Sequence, residues 1–175
     1  MILVINTCKH KLHSAEFVKP IIDLLDDFKV KHFTELKKQD IEKADKIIIS
    51  GTALKDNEAR KHLKKFAWIK DLDKPLLGIC MGMQLIGLIH EAEIYECNEI
   101  GPTKITITEK TQLIDKTELE AYELHDFATK LPKGFKEMAK SEKCLQIMQK
   151  GKICGMMFHP EVMNKEIILK FDRKD

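Results

Sequence analysis

Pro75-Leu76-Leu77-Gly78-Ile79-Cys80-Met81-Gly82-Met83-Gln84 changes character at its centre. Pro75 opens a short apolar run, Leu76 to Ile79, that reads as a buried strand, and from Met81 to about His90 the apolar residues suit a helix. No linker separates the two, so the chain must turn sharply at Cys80. Gly78 and Gly82, two residues to either side, remove the Cβ atoms that would collide across such a turn. The G-x-Cys-x-G spacing is that of a nucleophile elbow, which lifts one side chain clear of a sheet. It also sets the sulfur at a helix N-terminus, where unpaired N–H groups and the helix dipole favour an anion. Taken alone, the pattern is as often a buried cysteine in a glycine-rich turn.

Upstream of the junction, short apolar runs alternate with amphipathic stretches: strand, helix, strand, helix. Met1 to Ile5, Val30 to Phe33 and Lys46 to Ser50 read as strands, the last β-branched and ending at Gly51. Ser14 is placed to cap a helix carrying Phe17, Val18, Ile21, Leu24, Leu25 and Phe28, with Pro20 imposing a kink or a later start. Asp56 or Asn57 caps a helix carrying Leu63, Phe66, Ala67 and Ile69. Downstream the strands follow one another with little helix between them: Ile94 to Cys97, Lys104 to Thr108, Leu119 to Leu124, Phe135 to Ala139, Cys144 to Gln149 and Ile153 to Phe158. Lys150-Gly151-Lys152 makes a hairpin turn between the last two, and an amphipathic segment from Lys165 to Phe171 closes the chain. This pattern predicts an α/β three-layer sandwich of the flavodoxin-like kind, a mostly parallel central sheet flanked by helices with a small antiparallel section in the second half.

A length of 175 residues suits one domain, residues 1–175, with its own core. Thirty Lys+Arg against 28 Asp+Glu leave a formal charge of +2, which implies no polyanion-binding surface and hence no nucleic-acid partner. Arg60 and Arg173 are the only arginines, so bidentate clamps for phosphate or carboxylate are scarce. The longest apolar stretch, Pro75 to Ile89, falls short of the roughly 20 residues of a membrane helix. The apolar start, Met1 to Ile5, lacks a basic leader and a cleavage site, so a cytoplasmic location and no membrane association are expected. The five cysteines are odd in number and lack a C-x-x-C pair, which disfavours disulfides and a zinc ribbon. Cys97, Cys144 and Cys154 read as core thiols. Cys8, His10 and His13 form a three-ligand loop with no fourth partner, better read as polar than as a metal site, so no metal is expected.

A thiolate nucleophile needs a base, and the base an orienting group. Phe158-His159-Pro160-Glu161 supplies both at the end of a strand, with Pro160 restricting the backbone between imidazole and carboxylate. On its own this piece is more often an ordinary strand exit; beside the elbow it becomes a candidate site.

With these pieces in place the sequence resembles the class I (triad) glutamine amidotransferases, in the segments Gly78 to Gln84, Glu99-Ile100-Gly101 and Phe158-His159-Pro160-Glu161-Val162. A weaker likeness runs through His125 and Leu131-Pro132-Lys133-Gly134-Phe135. The Glu-x-Gly and Leu-Pro-x-Gly-Phe pieces are most similar to the glutaminase subunit of archaeal-type GMP synthase. The resemblance implies Cys80 as nucleophile on the side-chain amide of L-glutamine, His159 as proton carrier and Glu161 as its orienting carboxylate. It implies oxyanion donors at Gly51 and Met81, and contacts to glutamine from Gln84 and the backbone around Leu124, Asp126 and Phe127. Where the family has Gly-Gly-Pro, this chain has Gly51-Thr52-Ala53; the stretch from His125 to Leu131 is one residue short, and a Thr-x-x-Gly turn after Val162 is missing.

No G-x-x-x-x-G-K-[ST] loop is present, so no cofactor is expected in this chain; ATP and Mg are assigned to a separate synthetase, the ATP-pyrophosphatase subunit of GMP synthase. A glutaminase of this kind is expected to be slow alone and faster with the synthetase bound. Two alternatives stay open: a γ-glutamyl hydrolase of the same fold, and a catalytically degenerate homologue that binds or regulates a synthetase.

Overall fold

The computed structural model describes residues 1–173, so the last two positions of the expected 1–175 domain lie outside the described residues. Five parallel strands form the first part of the sheet: β1 (Ile2–Asn6), β2 (Phe28–His32), β3 (Lys46–Ile49), β4 (Leu76–Ile79) and, from the C-terminal end of the chain, β9 (Ile153–Met156). The remaining strands, β5 (Ile94–Ile107), β6 (Glu118–Thr129), β7 (Lys136–Lys140) and β8 (Leu145–Lys150), pair antiparallel, and the order across the nine-stranded sheet is β2-β1-β3-β4-β9-β8-β7-β5-β6. The α/β sandwich expected from sequence is therefore present, with an antiparallel section of four strands that is larger than expected. β9 joins the two parts, parallel to β4 on one side and antiparallel to β8 on the other.

Alternation along the central strands builds two cores. Val4, Ile48, Leu77 and Met156 face helices α1 (Lys11–Phe17), α2 (Lys19–Ile22) and α6 (Glu166–Asp172), through Phe17, Ile21, Ile167 and Ile168. Leu3, Ile47, Ile49 and Leu76 face helix α5 (Met81–Ile89), through Met83, Leu85 and Ile86, together with Phe66 and Ile69. Strands covered on both faces read as unbroken apolar runs, which is why these were recognisable. Each fully buried side chain of this size contributes about 1.5–3 kcal/mol.

Several local expectations are corrected. Ser14 does not cap the first helix; it lies inside α1, whose N-cap is His10, and its Oγ accepts from Asn6 Nδ2 at 2.8 Å. Pro20 sits at the start of α2, and its missing N–H breaks the helix at Val18. Phe28 belongs to β2 and is exposed, so the helical period that included it ran too far. The helix expected from Asn57 onward is one short turn, α4 (Glu58–Lys61), followed by 3₁₀ structure from Leu63 to Asp71 that still buries Phe66 and Ile69. Helix α3 (Lys38–Lys43) was not foreseen; its start is held by Lys37 N–H donating to Asp40 Oδ2 at 3.1 Å. Ile94 to Cys97 and Lys104 to Thr108 are parts of one strand, β5, which passes Asn98 and Gly101 by a register shift between Glu96 and Glu99 and a φ of +94° at Gly101.

Candidate active site

The C-terminal ends of the parallel strands converge on Cys80, the usual ligand edge of an open α/β sheet. Cys80 links β4 directly to α5 with φ 48° and ψ −99°, a conformation that costs a non-glycine residue of order 1–3 kcal/mol. It is held there by its N–H donating to Met156 O at 2.7 Å and its carbonyl accepting from Gln84 N at 3.1 Å. The flanking glycines answer the sterics of the turn: a Cβ on Gly78 would lie 2.7 Å from the Gly82 carbonyl carbon, and one on Gly82 would lie 2.5 Å from Ile49 O.

His159 follows β9 and is fixed by its N–H donating to Tyr122 O at 2.9 Å. Its Nδ1–H donates to Glu161 Oε1 at 2.7 Å, and both side chains are buried. The Nε2 atom is buried and makes no hydrogen bond within the chain. A Cβ on Gly51 would sit 2.6 Å from His159 Cε1 and 3.4 Å from Cys80 Cβ, so one point of space touches both residues, and glycine at 51 is what lets them approach. Burial opposes charge on His159, but the Glu161 carboxylate and the neighbouring Cys80 sulfur outweigh it, and the imidazole is held protonated well above its ordinary range.

The Gly51 carbonyl is locked by Thr7 Oγ1 at 3.0 Å and Ser50 Oγ at 2.9 Å, which sets the orientation of the peptides around it. Met81, the first residue of α5, has no acceptor for its N–H within the helix. The Cys80 thiol donates to Leu124 O at 3.7 Å, and Gln84 Nε2 donates to Phe127 O at 2.9 Å. Asp126 Oδ1 accepts from Asn98 Nδ2 at 2.7 Å. Cys80, Met81, Gln84, Leu124, Asp126 and Phe127 line one small cavity of about 30 Å³. That is space for a water or two.

The structure thus brings together every residue that the resemblance placed at the site: Cys80, His159 and Glu161 in one cluster, Gly51 against it, and the others around the cavity. Sequence reasoning did not reach Thr7 and Ser50, whose polar side chains ending neighbouring strands were the available signal, nor Thr52 and Asp56 on the near wall. Asp56 Oδ2 ties that wall down by accepting from Lys9 N at 2.8 Å and Thr52 Oγ1 at 2.7 Å. The Arg60 guanidinium stacks over Phe127, 4.5 Å from its ring centroid. Cys8 is buried against the Gly51 carbonyl, and burial pushes its thiol up to about 11. Among the described residues Cys8, His10 and His13 do not converge as metal ligands.

The class-I glutamine amidotransferase family model matches residues 18–169. The chain belongs to that family. It is 32% identical over 144 residues to the glutamine-hydrolyzing subunit of GMP synthase from Methanocaldococcus jannaschii, covering 69% of this chain and 77% of that protein. It is 29% identical over 136 residues to the corresponding protein of Archaeoglobus fulgidus, covering 73% of this chain and 72% of that one. Among solved structures, a Thermoplasma acidophilum protein assigned to the same GMP synthase component superposes with a TM-score of 0.82 at 25% identity, over 98% of this chain and 92% of that one. A glutamine amidotransferase of Thermotoga maritima, with a TM-score of 0.74 at 22% identity, covers 94% of this chain and 78% of that one and shares the fold. The chain is a glutamine-hydrolysing enzyme related to these GMP synthase components. Among the described residues no helix is long and apolar enough to cross a membrane.

Proposed function

We propose that this chain is the glutaminase subunit of a two-chain amidotransferase of the GMP synthase type, cytoplasmic, handing ammonia to a separate ATP-pyrophosphatase subunit that converts XMP to GMP. The observation carrying this reading is the strained Cys80 beside a buried His159 whose Nδ1 is bound to Glu161 at 2.7 Å. The Cys80 sulfur attacks the side-chain amide carbon of L-glutamine, and the carbonyl electrons move to oxygen. The Met81 and Gly51 N–H groups face that oxyanion; one such donor is typically worth about 2.7–4 kcal/mol. His159 gives its Nε2 proton to the departing nitrogen, and the C–N bond breaks to leave ammonia and a glutamyl thioester. His159 then takes a proton from water, which attacks the thioester carbon; the C–S bond breaks, and glutamate leaves with the sulfur regenerated. No cofactor of this chain enters these steps, ATP and Mg being used by the synthetase.

A cavity of about 30 Å³ does not admit a glutamine side chain, so the wall from Thr52 to Asn57 must move for substrate to enter. This supports slow turnover by the isolated chain and acceleration when a synthetase displaces that wall. A glutamine-mimicking electrophile is expected to alkylate Cys80 and none of the other four cysteines. Ammonia release from glutamine should rise at least tenfold when XMP is added together with the ATP-pyrophosphatase subunit. Full activity alone, or a preference for γ-glutamyl conjugates, would favour a hydrolase instead; absence of labelling would favour a non-catalytic homologue.

A further inference from the structure

Between β5, β6 and the turn before β8 lies a buried cluster that the reaction above does not use. Glu99 of β5, Glu123 and His125 of β6, and Cys144 before β8 are all buried. His125 Nε2 lies 3.4 Å from Glu99 Oε2 and 3.1 Å from Glu123 Oε2, and Cys144 Sγ lies 3.1 Å from Glu99 Oε2. Neither oxygen of Glu123 accepts a hydrogen bond, and His125 Nε2 makes none either, although all three atoms are shut away from solvent. Leaving a fully buried carboxylate without a donor is costly, and charges in such places are normally paired and hydrogen-bonded, or ligate a metal.

We propose that Glu99, Glu123, His125 and Cys144 form a binding site for a divalent transition-metal ion of the zinc class. Carboxylate, imidazole and thiolate are a zinc donor set, and a tetrahedral ion with bonds of about 2.0–2.3 Å holds neighbouring ligand atoms about 3.3–3.7 Å apart. The observed separations of 3.1–3.4 Å are close to that spacing. Ligand atoms of Glu99, Glu123 and His125 lie within 4.8 Å of one another, as do those of Cys97, Glu99 and Cys144, so Cys97 stands by as a further thiolate. The outer contacts are those of a built site. His125 Nδ1–H donates to Cys97 O at 2.9 Å, which leaves Nε2 as the nitrogen aimed at the carboxylates. Ser141 Oγ and Gln146 Nε2 donate to Glu99 Oε2 at 3.2 and 2.9 Å, holding that carboxylate in place. On binding, Cys144 loses its proton to water, and the ion takes the place of the S–H bridge to Glu99. A groove of about 650 Å³ lined by Glu99, Thr103, Ser141 and Lys143 provides entry from the surface.

The role is structural. Glu123 and His125 flank Leu124, whose carbonyl meets the Cys80 thiol, so an ion here would fix β6 against the nucleophile without touching glutamine. This departs from the expectation of no metal, which rested on one loop and on reading Cys144 as a core thiol; only the pairing of β5 with β6 and the turn before β8 bring these ligands together.

The test uses the full chain, freed of metal with a chelator and titrated with ZnCl2 and, separately, CoCl2. A Cys8→Ser, Cys80→Ala variant serves as background, so that the thiols beside His32 and His159 do not contribute. One equivalent of Zn2+ should bind at or below micromolar concentration and raise the midpoint of thermal unfolding. Co2+ should give a near-ultraviolet sulfur charge-transfer band that Cys144→Ser abolishes. Glu123→Gln should weaken Zn2+ at least tenfold, with its far-ultraviolet circular dichroism unchanged. No tight Zn2+ in the background variant, or affinity that Glu123→Gln leaves intact, overturns the proposal; should both single variants fail to fold, the Co2+ spectrum and the Zn2+-dependent melting of the background variant decide it.

Discussion

The parallel and antiparallel parts of this sheet solve different problems with neighbouring strands. In β1, β3, β4 and β9 nearly every residue is buried. These strands are covered by helices on both faces, and their ends deliver Cys80, Gly51 and His159 to one point. In β5 and β6 buried positions alternate with exposed ones, and the buried positions include Glu99, Glu123 and His125. The parallel part is an apolar platform that can hold a strained nucleophile; the antiparallel part has a polar interior and offers the nucleophile backbone carbonyls at Leu124 and Phe127. Chemistry is thus concentrated on the rigid part, and its surroundings on the part whose folding is set by polar contacts.

Substitutions can test that division, beginning with the platform's working end. Cys80→Ala should abolish ammonia release from glutamine at all pH values while leaving thermal unfolding close to wild type. Next in size, Glu161→Gln should lower kcat by about 10²–10⁴-fold, the range of acid–base assistance. Glu161 is the main group raising the His159 pKa, with Cys80 also raising it and Glu123 a more distant neighbour. Its removal should bring the alkaline limb of the kcat profile to lower pH. The stability that His159 contributes follows the same sign: fully present below its unfolded pKa of about 6.5, and lost as pH rises through the raised folded value. An alkaline limb unmoved in the variant would detach Glu161 from His159.

Gly51→Ala should come third, because the added methyl must displace the His159 ring from a contact of 2.6 Å. Overpacking of this kind costs about 1–3 kcal/mol, and turnover should fall at least tenfold with little change in glutamine KM. Ile48→Val, in the middle of the platform, should cost about 0.5–1.5 kcal/mol in urea unfolding. Ile100→Thr, on an exposed position of β5, should change stability by less than about 0.5 kcal/mol. Equal losses at Ile48 and Ile100 would erase the contrast between the two parts.

The same contrast explains how much could be read from residues alone. The platform strands are apolar runs bounded by turn residues, and Gly78-x-Cys80-x-Gly82 has no other economical geometry, so both the fold class and the nucleophile's position were open to sequence. His159 and Glu161 followed because Pro160 makes their spacing rigid. The exposed β2 and the long β5 were blurred, since Phe28 continues a helical period by coincidence and Asn98 and Gly101 look like strand breakers. Thr7, Ser50 and Asp56 were invisible because their partners come from other strands and loops, as Ser50 does for Thr7 across 43 positions. The Glu99, Glu123, His125 and Cys144 cluster depends on strand pairing for the same reason.

The hairpin turn at Gly151 drops β9 into the middle of the sheet, between β4 and β8, although it is the last strand to leave the ribosome. Until it arrives, β4 has one unfilled edge, the Cys80 N–H lacks its Met156 acceptor and His159 has not yet been made. Nascent chains therefore carry the sulfur long before they can use it, and hydrolysis of cellular glutamine begins only once translation has passed the final strand.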